Sequence, residues 1–232
     1  MDKIARVRSI SLWIFIVPFF AVNTCLILIT NFHELFLRHE DIIWSTIPYI
    51  DGGASISRTA RVFPNYLIFK PAMFLTSYLL VKYWFYNKEI IKSLDGDNKY
   101  IKKFIFFGVG SAILLTLHSI FLGIKFDYNI YKLFRRVVML SFIIFEITAQ
   151  TYLVIILYSL KNKISNLINQ KVLILKIILV VSLIIVAIVS LPFLIMDGHK
   201  TFKHALEWNY FVGVISFYLI TFFLWKPQPH TD

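Results

Sequence analysis

One cysteine, Cys25, cannot form an intrachain disulfide or supply a multi-cysteine metal site. Acidic residues are also scarce, with 13 Asp and Glu against 24 Lys and Arg. Charged residues together make only 16% of the 232 residues. A soluble domain carries about a quarter charged residues, so most of this chain cannot be facing water. Catalytic signatures are missing as well. The Gly108-Val109-Gly110 stretch lies within an apolar run, where it suits close helix packing and not a phosphate loop. Neither a His-Glu-x-x-His helix nor a Gly-x-Ser-x-Gly elbow occurs. A membrane cytochrome needs paired intramembrane histidines, and only His118 has that position. The turn Asp95-Gly96-Asp97-Asn98 lacks the later ligands of a calcium loop and reads as a solvated turn. His33, His39, His199 and His204 follow no metal-ligand spacing, so neither a metal nor a cofactor is expected.

What the chain has is hydrocarbon. It is 58% hydrophobic and 17% aromatic, with a mean hydropathy of +0.72. Crossing a bilayer core takes about 20 residues of helix. Reading from charge to charge gives spans at 9–32, 104–124, 137–160, 177–196 and 208–225. A further span at 63–86 contains Lys70 and Lys82, each near an end where a long stem carries the ammonium to the headgroups. The expected fold is therefore all-α, a polytopic membrane protein of one domain with six transmembrane helices in one bundle. The first run is too long for a cleaved signal, and Asn31-Phe32-His33 is a poor cleavage site.

Cytosolic loops are enriched in Lys and Arg. Placing the cluster Lys3, Arg6 and Arg8 inside puts the larger share of the cations on that side, and makes both termini cytosolic. The net charge of +11 flanks membrane spans. It therefore points to anionic lipid headgroups and membrane lipids as partners, and not to nucleic acid. The spans suit an endomembrane, a plasma membrane or a bacterial inner membrane alike.

Ionisable groups inside spans are costly and are functional candidates. Glu146 falls about ten residues from the outer end of the fourth span, roughly 14 Å deep, and His118 about six residues from the outer end of the third, roughly 9 Å deep. Gln150 follows Glu146 by one turn on the same face. Asn23 and Thr24 lie in the same half of the first span, Glu207 and Asn209 open the last, and Arg58, Arg61 and Lys70 approach from that side. One reading is interhelical glue, at about 0.6–2 kcal/mol per hydrogen bond. The other is an outward-facing polar site for a lipid headgroup, lined by Lys70, Arg58, Arg61, His118, Glu146, Gln150, Glu207 and Asn209. Pro18, Pro71 and Pro192 each remove a helical hydrogen bond within a span.

The stretch Ile56-Ser57-Arg58-Thr59-Ala60, followed by Pro64-Asn65 and Phe69, resembles a motif of the DRAM proteins (damage-regulated autophagy modulators). Those proteins carry Ile-Ser-Asp-Thr-Gly, then Pro-Glu and a Phe, before their second helix. Pro48-Tyr49-Ile50-Asp51 offers a second register for it, and Glu207-Trp208 and Thr221 are similar to the last helix of the wider DRAM, Frag and Sfk superfamily. That superfamily includes GPI-anchor remodelling factors. Where its members have Asp, Gly and Glu, this chain has Arg58, Ala60 and Asn65. The resemblance implies six helices, cytosolic termini and a role in lipid handling or membrane organisation without an established reaction. The leading expectation is thus a lipid-binding, membrane-organising protein. The first alternative is a lipid or GPI-anchor remodelling enzyme with Glu146 and His118 as catalytic acid and base. The second is a small-solute transporter, or a structural subunit with a membrane-protein partner.

Overall fold

The computed structural model describes residues 3–124, 128–196 and 198–227. Lys125 and Asp197, used above as charge boundaries, lie outside the described residues, as does the side chain of Lys132. Long helices form at α1 (Lys3–Asn31), α4 (Tyr66–Leu94), α5 (Ile101–Phe121), α6 (Asn129–Ser159), α7 (Gln170–Ile195) and α8 (Lys200–Leu224). Two short ones, α2 (Pro48–Asp51) and α3 (Ile56–Ala60), sit in the long connection between α1 and α4. Among the described residues there is no β-strand, only an isolated antiparallel bridge between Ile168 and Trp225.

The chain is an integral, multi-pass membrane protein. Helices α1, α5, α6, α7 and α8 are each long and apolar enough to cross a bilayer. Helix α4 matches α1 at 29 residues, but Lys70, Lys82 and its tyrosines make it more polar. Ile178, Val181, Ile185, Ile188 and Val189 of α7 are exposed, a face that only hydrocarbon accepts without cost. Several helices run past the apolar runs that announce them. Helix α1 begins at Lys3, α4 ends at Leu94, α6 begins at Asn129 and α7 at Gln170. A helix keeps its backbone bonds in the headgroup zone as well as in the hydrocarbon, and long cationic side chains reach water from there.

The long helices close into a ring in the order α1, α4, α5, α6, α7, α8 and back to α1. Lipid tails are as apolar as leucine, so packing and interhelical hydrogen bonds hold such a ring together. Aromatic side chains fill its interior: Tyr83, Trp84, Phe104, Trp208, Phe217 and Tyr218 are fully buried. Glycines let helices approach around them. A Cβ on Gly108 would lie 2.4 Å from the Trp84 ring, and one on Gly110 would lie 2.6 Å from the Phe145 ring. At the end carrying the N-terminus, the α6–α7 connection is pinned to the end of α8. Asn169 N–H donates to Leu224 O at 2.8 Å and Lys226 N–H to Leu167 O at 2.9 Å. The Asn169 side chain accepts from Lys171 N–H at 3.1 Å and starts α7.

Candidate functional site

Glu146 lies on the inner face of α6 and is buried. Ser111 of α5 donates to its Oε2 at 2.6 Å, and Gln150, one turn along α6, donates to its Oε1 at 2.9 Å. The Tyr218 hydroxyl of α8 donates to the same Oε1. One carboxylate thus joins three helices across the ring. Gln150 also reaches Val214 O at 3.3 Å, which adds a second link to α8.

A second buried polar group lies one turn further along α8. Lys176 of α7 is wholly buried, its Nζ donating to Thr221 Oγ1 and lying 3.8 Å from the centroid of the Phe217 ring. The Tyr83 hydroxyl of α4 meets the same Thr221 oxygen at 3.2 Å, and the Tyr83 ring packs edge-on against Tyr218 with centroids 4.9 Å apart. Lys176 falls just outside the span expected from the apolar run 177–196. It sits instead about 9 Å along α7 from Gln170, at 1.5 Å per residue. The signal was present: the Asn169 cap, then Val172-Leu173-Ile174-Leu175 between the two lysines, marks a helix already under way.

The other expected site residues divide into three groups. Glu146 and Gln150 are together. His118 is apart from them: Ser111, which touches Glu146, precedes it by two turns on α5, about 10 Å of rise. The charge acting on His118 is Arg135 of α6. Lys70 and Arg61 gather at the end of α5. Lys70 Nζ donates to Ile120 O at 3.3 Å, and the backbone at Gly123 approaches Arg61 O so closely that a Cβ there would lie 3.0 Å away.

Glu207, Asn209 and Arg58 belong to a third arrangement, in which the start of α8 grips the α1–α4 connection. Asn209 Nδ2 donates to Tyr49 O at 2.8 Å and Trp208 Nε1 to Ala54 O at 2.8 Å. The His204 ring Nδ1 meets Gly52 O at 2.9 Å. The N–H groups of Ile56 and Ser57, at the start of α3, face the Glu207 carboxylate. Gly52 has φ +62° and passes so near α8 that a Cβ would lie 1.8 Å from Thr201 O. Asp51 braces the turn, accepting from Thr46 Oγ1 at 2.6 Å and from the N–H groups of Ile47 and Gly53 at 2.8 Å. Those bonds, the Thr46 hydroxyl foremost, hold its carboxyl below the usual carboxylate range. Tyr49 donates to Asn23 Oδ1 at 3.0 Å and packs on Trp208, and burial raises its hydroxyl pKa.

The stretch around Ile56–Asn65 is therefore structural. Asn65 is buried, and its Nδ2 donates to Cys25 O at 2.7 Å and Thr59 O at 2.8 Å, tying α1 to α3. Cys25 is buried beside it. His33 and His39 pack against Trp44, and no group of three metal-ligating side chains converges among the described residues.

Fold and site together define an integral membrane protein with a polar core shared by its helices and a clamped loop at one end. No family model matches the chain, and neither a curated protein nor a solved structure does.

Proposed function

We propose that this is a six-helix membrane protein with both termini cytosolic, which binds and organises lipids in the non-cytosolic leaflet without catalysing a reaction. The reading keeps the likeness to the DRAM, Frag and Sfk superfamily as part of the proposal. It rests on the clamped Ile56–Asn65 stretch and on Glu207-Trp208 gripping it.

The observation that carries the proposal is the convergence of Arg61 and Lys70 on the end of α5. Lys70 uses one of its three donors on the Ile120 carbonyl, which leaves the others for a ligand. Among the described residues the ion pairs are Lys3–Glu89 and Arg38–Glu40, so neither Arg61 nor Lys70 is neutralised by a carboxylate. A phosphate at the membrane surface meets that need. Acid–base catalysis draws no support from the geometry. Glu146 is spent on Ser111, Gln150 and Tyr218, with His118 two turns off.

The test uses purified protein carrying Lys70→Gln and Arg61→Gln, reconstituted with anionic phospholipid. Each change should reduce the anionic lipid retained through delipidation, with the melting temperature unaltered. Lipid retention equal to that of the parent protein would refute the assignment.

A further inference from the structure

A second cationic place lies at the opposite end of the bundle, where the N-terminal turns of α1 face the second half of α4. Arg6, Ser9 and Ile10 of α1 and Tyr86 of α4 line an open cleft of about 280 Å³. Spacings of three and four residues bring Arg6, Ser9 and Ile10 onto one face of α1, and Lys82 and Tyr86 onto one face of α4. The Arg6 guanidinium lies 5.7 Å from the Tyr86 ring centroid. Lys82, held over the Tyr78 ring at 4.5 Å, is within electrostatic reach of both Arg6 and Tyr86.

The neighbouring charges are already committed. Glu89, one turn beyond Tyr86, pairs with Lys3 at 3.2 Å. Arg8 turns the other way, donating to Phe222 O at 3.1 Å and lying over the Phe222 ring. Among the described residues, two cations that repel one another are thus left beside the Ser9 and Tyr86 hydroxyls with no carboxylate between them. An anion supplies what that arrangement lacks.

We propose that this cleft binds the phosphate group of an anionic phospholipid in the leaflet at the N-terminal end of the bundle. A guanidinium offers paired donors that match phosphate oxygens, and the hydroxyls add further ones. Whole small-molecule pockets run to about 300–1,000 Å³, so this cleft fits a headgroup and leaves the acyl chains outside. Ile10 forms its apolar floor, and Trp13, one turn deeper along α1, is 52% exposed and free to pack against a chain. A free phosphate shares the headgroup chemistry but has no use for the apolar floor. The site is separate from Arg61 and Lys70 and stands or falls without them.

Delipidated full-length protein in neutral detergent is titrated with phosphatidylglycerol, and bound lipid is counted by native mass spectrometry. Arg6→Gln should weaken binding about ten-fold or more. Arg6→Lys should fall between, because it keeps the charge and loses the paired donors. Lys82→Gln should weaken binding less than Arg6→Gln, and Lys70→Gln should leave this site's share intact. A parallel arm adds millimolar inorganic phosphate: failure to displace the lipid supports a lipid site, and displacement overturns it in favour of a free anion. Phosphatidylcholine binding as tightly as phosphatidylglycerol, or Arg6→Gln with the parent's affinity and melting temperature, also overturns the proposal.

Discussion

Removing the Glu146 carboxylate should loosen the bundle by an amount its partners set. In Glu146→Ala, Ser111 keeps an alternative acceptor in Gly108 O at 2.8 Å, and Gln150 keeps Val214 O at 3.3 Å. The Tyr218 hydroxyl loses the acceptor it donates to and is left with Gln150 as its polar neighbour, whose amide already donates to Val214 O. One buried unsatisfied hydroxyl costs about 1–3 kcal/mol, and the weakened links from Ser111 and Gln150 add about 0.6 kcal/mol each. The expected loss is therefore about 2–4 kcal/mol. Glu146→Gln keeps the shape and one acceptor, and the Ser111 hydroxyl turns to accept from the new amide, so that change should cost about 1 kcal/mol or less. The assay is unfolding in detergent micelles followed by circular dichroism, with Tyr218→Phe completing a double-mutant cycle. The coupling between positions 146 and 218 should be about 0.6–2 kcal/mol. An alanine variant as stable as the parent, or a coupling of zero, would refute the view that this carboxylate staples α5, α6 and α8.

Lys176→Met should leave stability unchanged or raise it by about 1 kcal/mol or more, because it exchanges a buried amino group with no carboxylate partner among the described residues for an apolar chain of similar length; a clear fall in melting temperature would contradict this. Gly52→Ala should cost about 2 kcal/mol or more, from the left-handed backbone and the collision with Thr201 O, while Gly96→Ala, with its nearest neighbour at 3.7 Å, should stay within about 0.5 kcal/mol of the parent. Asp51 is held below its ordinary pKa, so its contribution to the loop is fully present above about pH 4 and fades as the pH falls through the lower folded value. Hydrogen exchange at Ile47 and Gly53 should accelerate only in that acid range, and Asp51→Asn should remove the dependence. Trp208→Phe loses the bond to Ala54 O and should cost about 1 kcal/mol, visible as faster proteolysis of the α1–α4 connection.

Solvent preference is written locally, which is why the apolar runs announced the long helices. Helix ends are not written that way. Lys3, Lys92 and Lys171 all lie inside helices, because charge marks where hydrocarbon stops and not where backbone hydrogen bonding stops. Helix α4 shows the reverse case: its lysines and tyrosines dilute the apolar signal, yet it runs without a break from Tyr66 to Leu94.

The polar core was half legible. Glu146 and Gln150 declare themselves as costly groups one turn apart. Ser111, Tyr218, Tyr83 and Thr221 do not, since a hydroxyl in a span can bond to its own helix. Thr221 does so with Phe217 O while also receiving Lys176 and Tyr83. Which hydroxyl turns outward to another helix depends on the order of helices around the ring, and that order is a long-range property. The same limit explains the outer residues. A shared outer half of the spans suggested one polar site, whereas that half is wide enough to hold several. Two turns of rise along α5 separate His118 from Glu146, and the bonds to Tyr49 and α3 draw Asn209 and Glu207 to the loop.

The two buried ionisable groups differ in how they are held, and this decides where a change of state would be felt. Glu146 is surrounded by donors from α5, α6 and α8, an arrangement that suits a fixed acceptor. Lys176 has one hydroxyl and one ring, both from α8. A rotation of α7 against α8 would break the Lys176–Thr221 bond and the Tyr210 hydroxyl's bond to Leu183 O at 3.2 Å, whereas the same rotation leaves the Glu146 staple untouched on the α5–α6 side. Motion in this ring is therefore expected at the α7–α8 seam, with α1, α4, α5, α6 and α8 as the rigid frame. Site-directed spin labels across α7 and α8 should report a broader distance distribution than labels across α5 and α6. Equal widths would place Lys176 in the frame as firmly as Glu146.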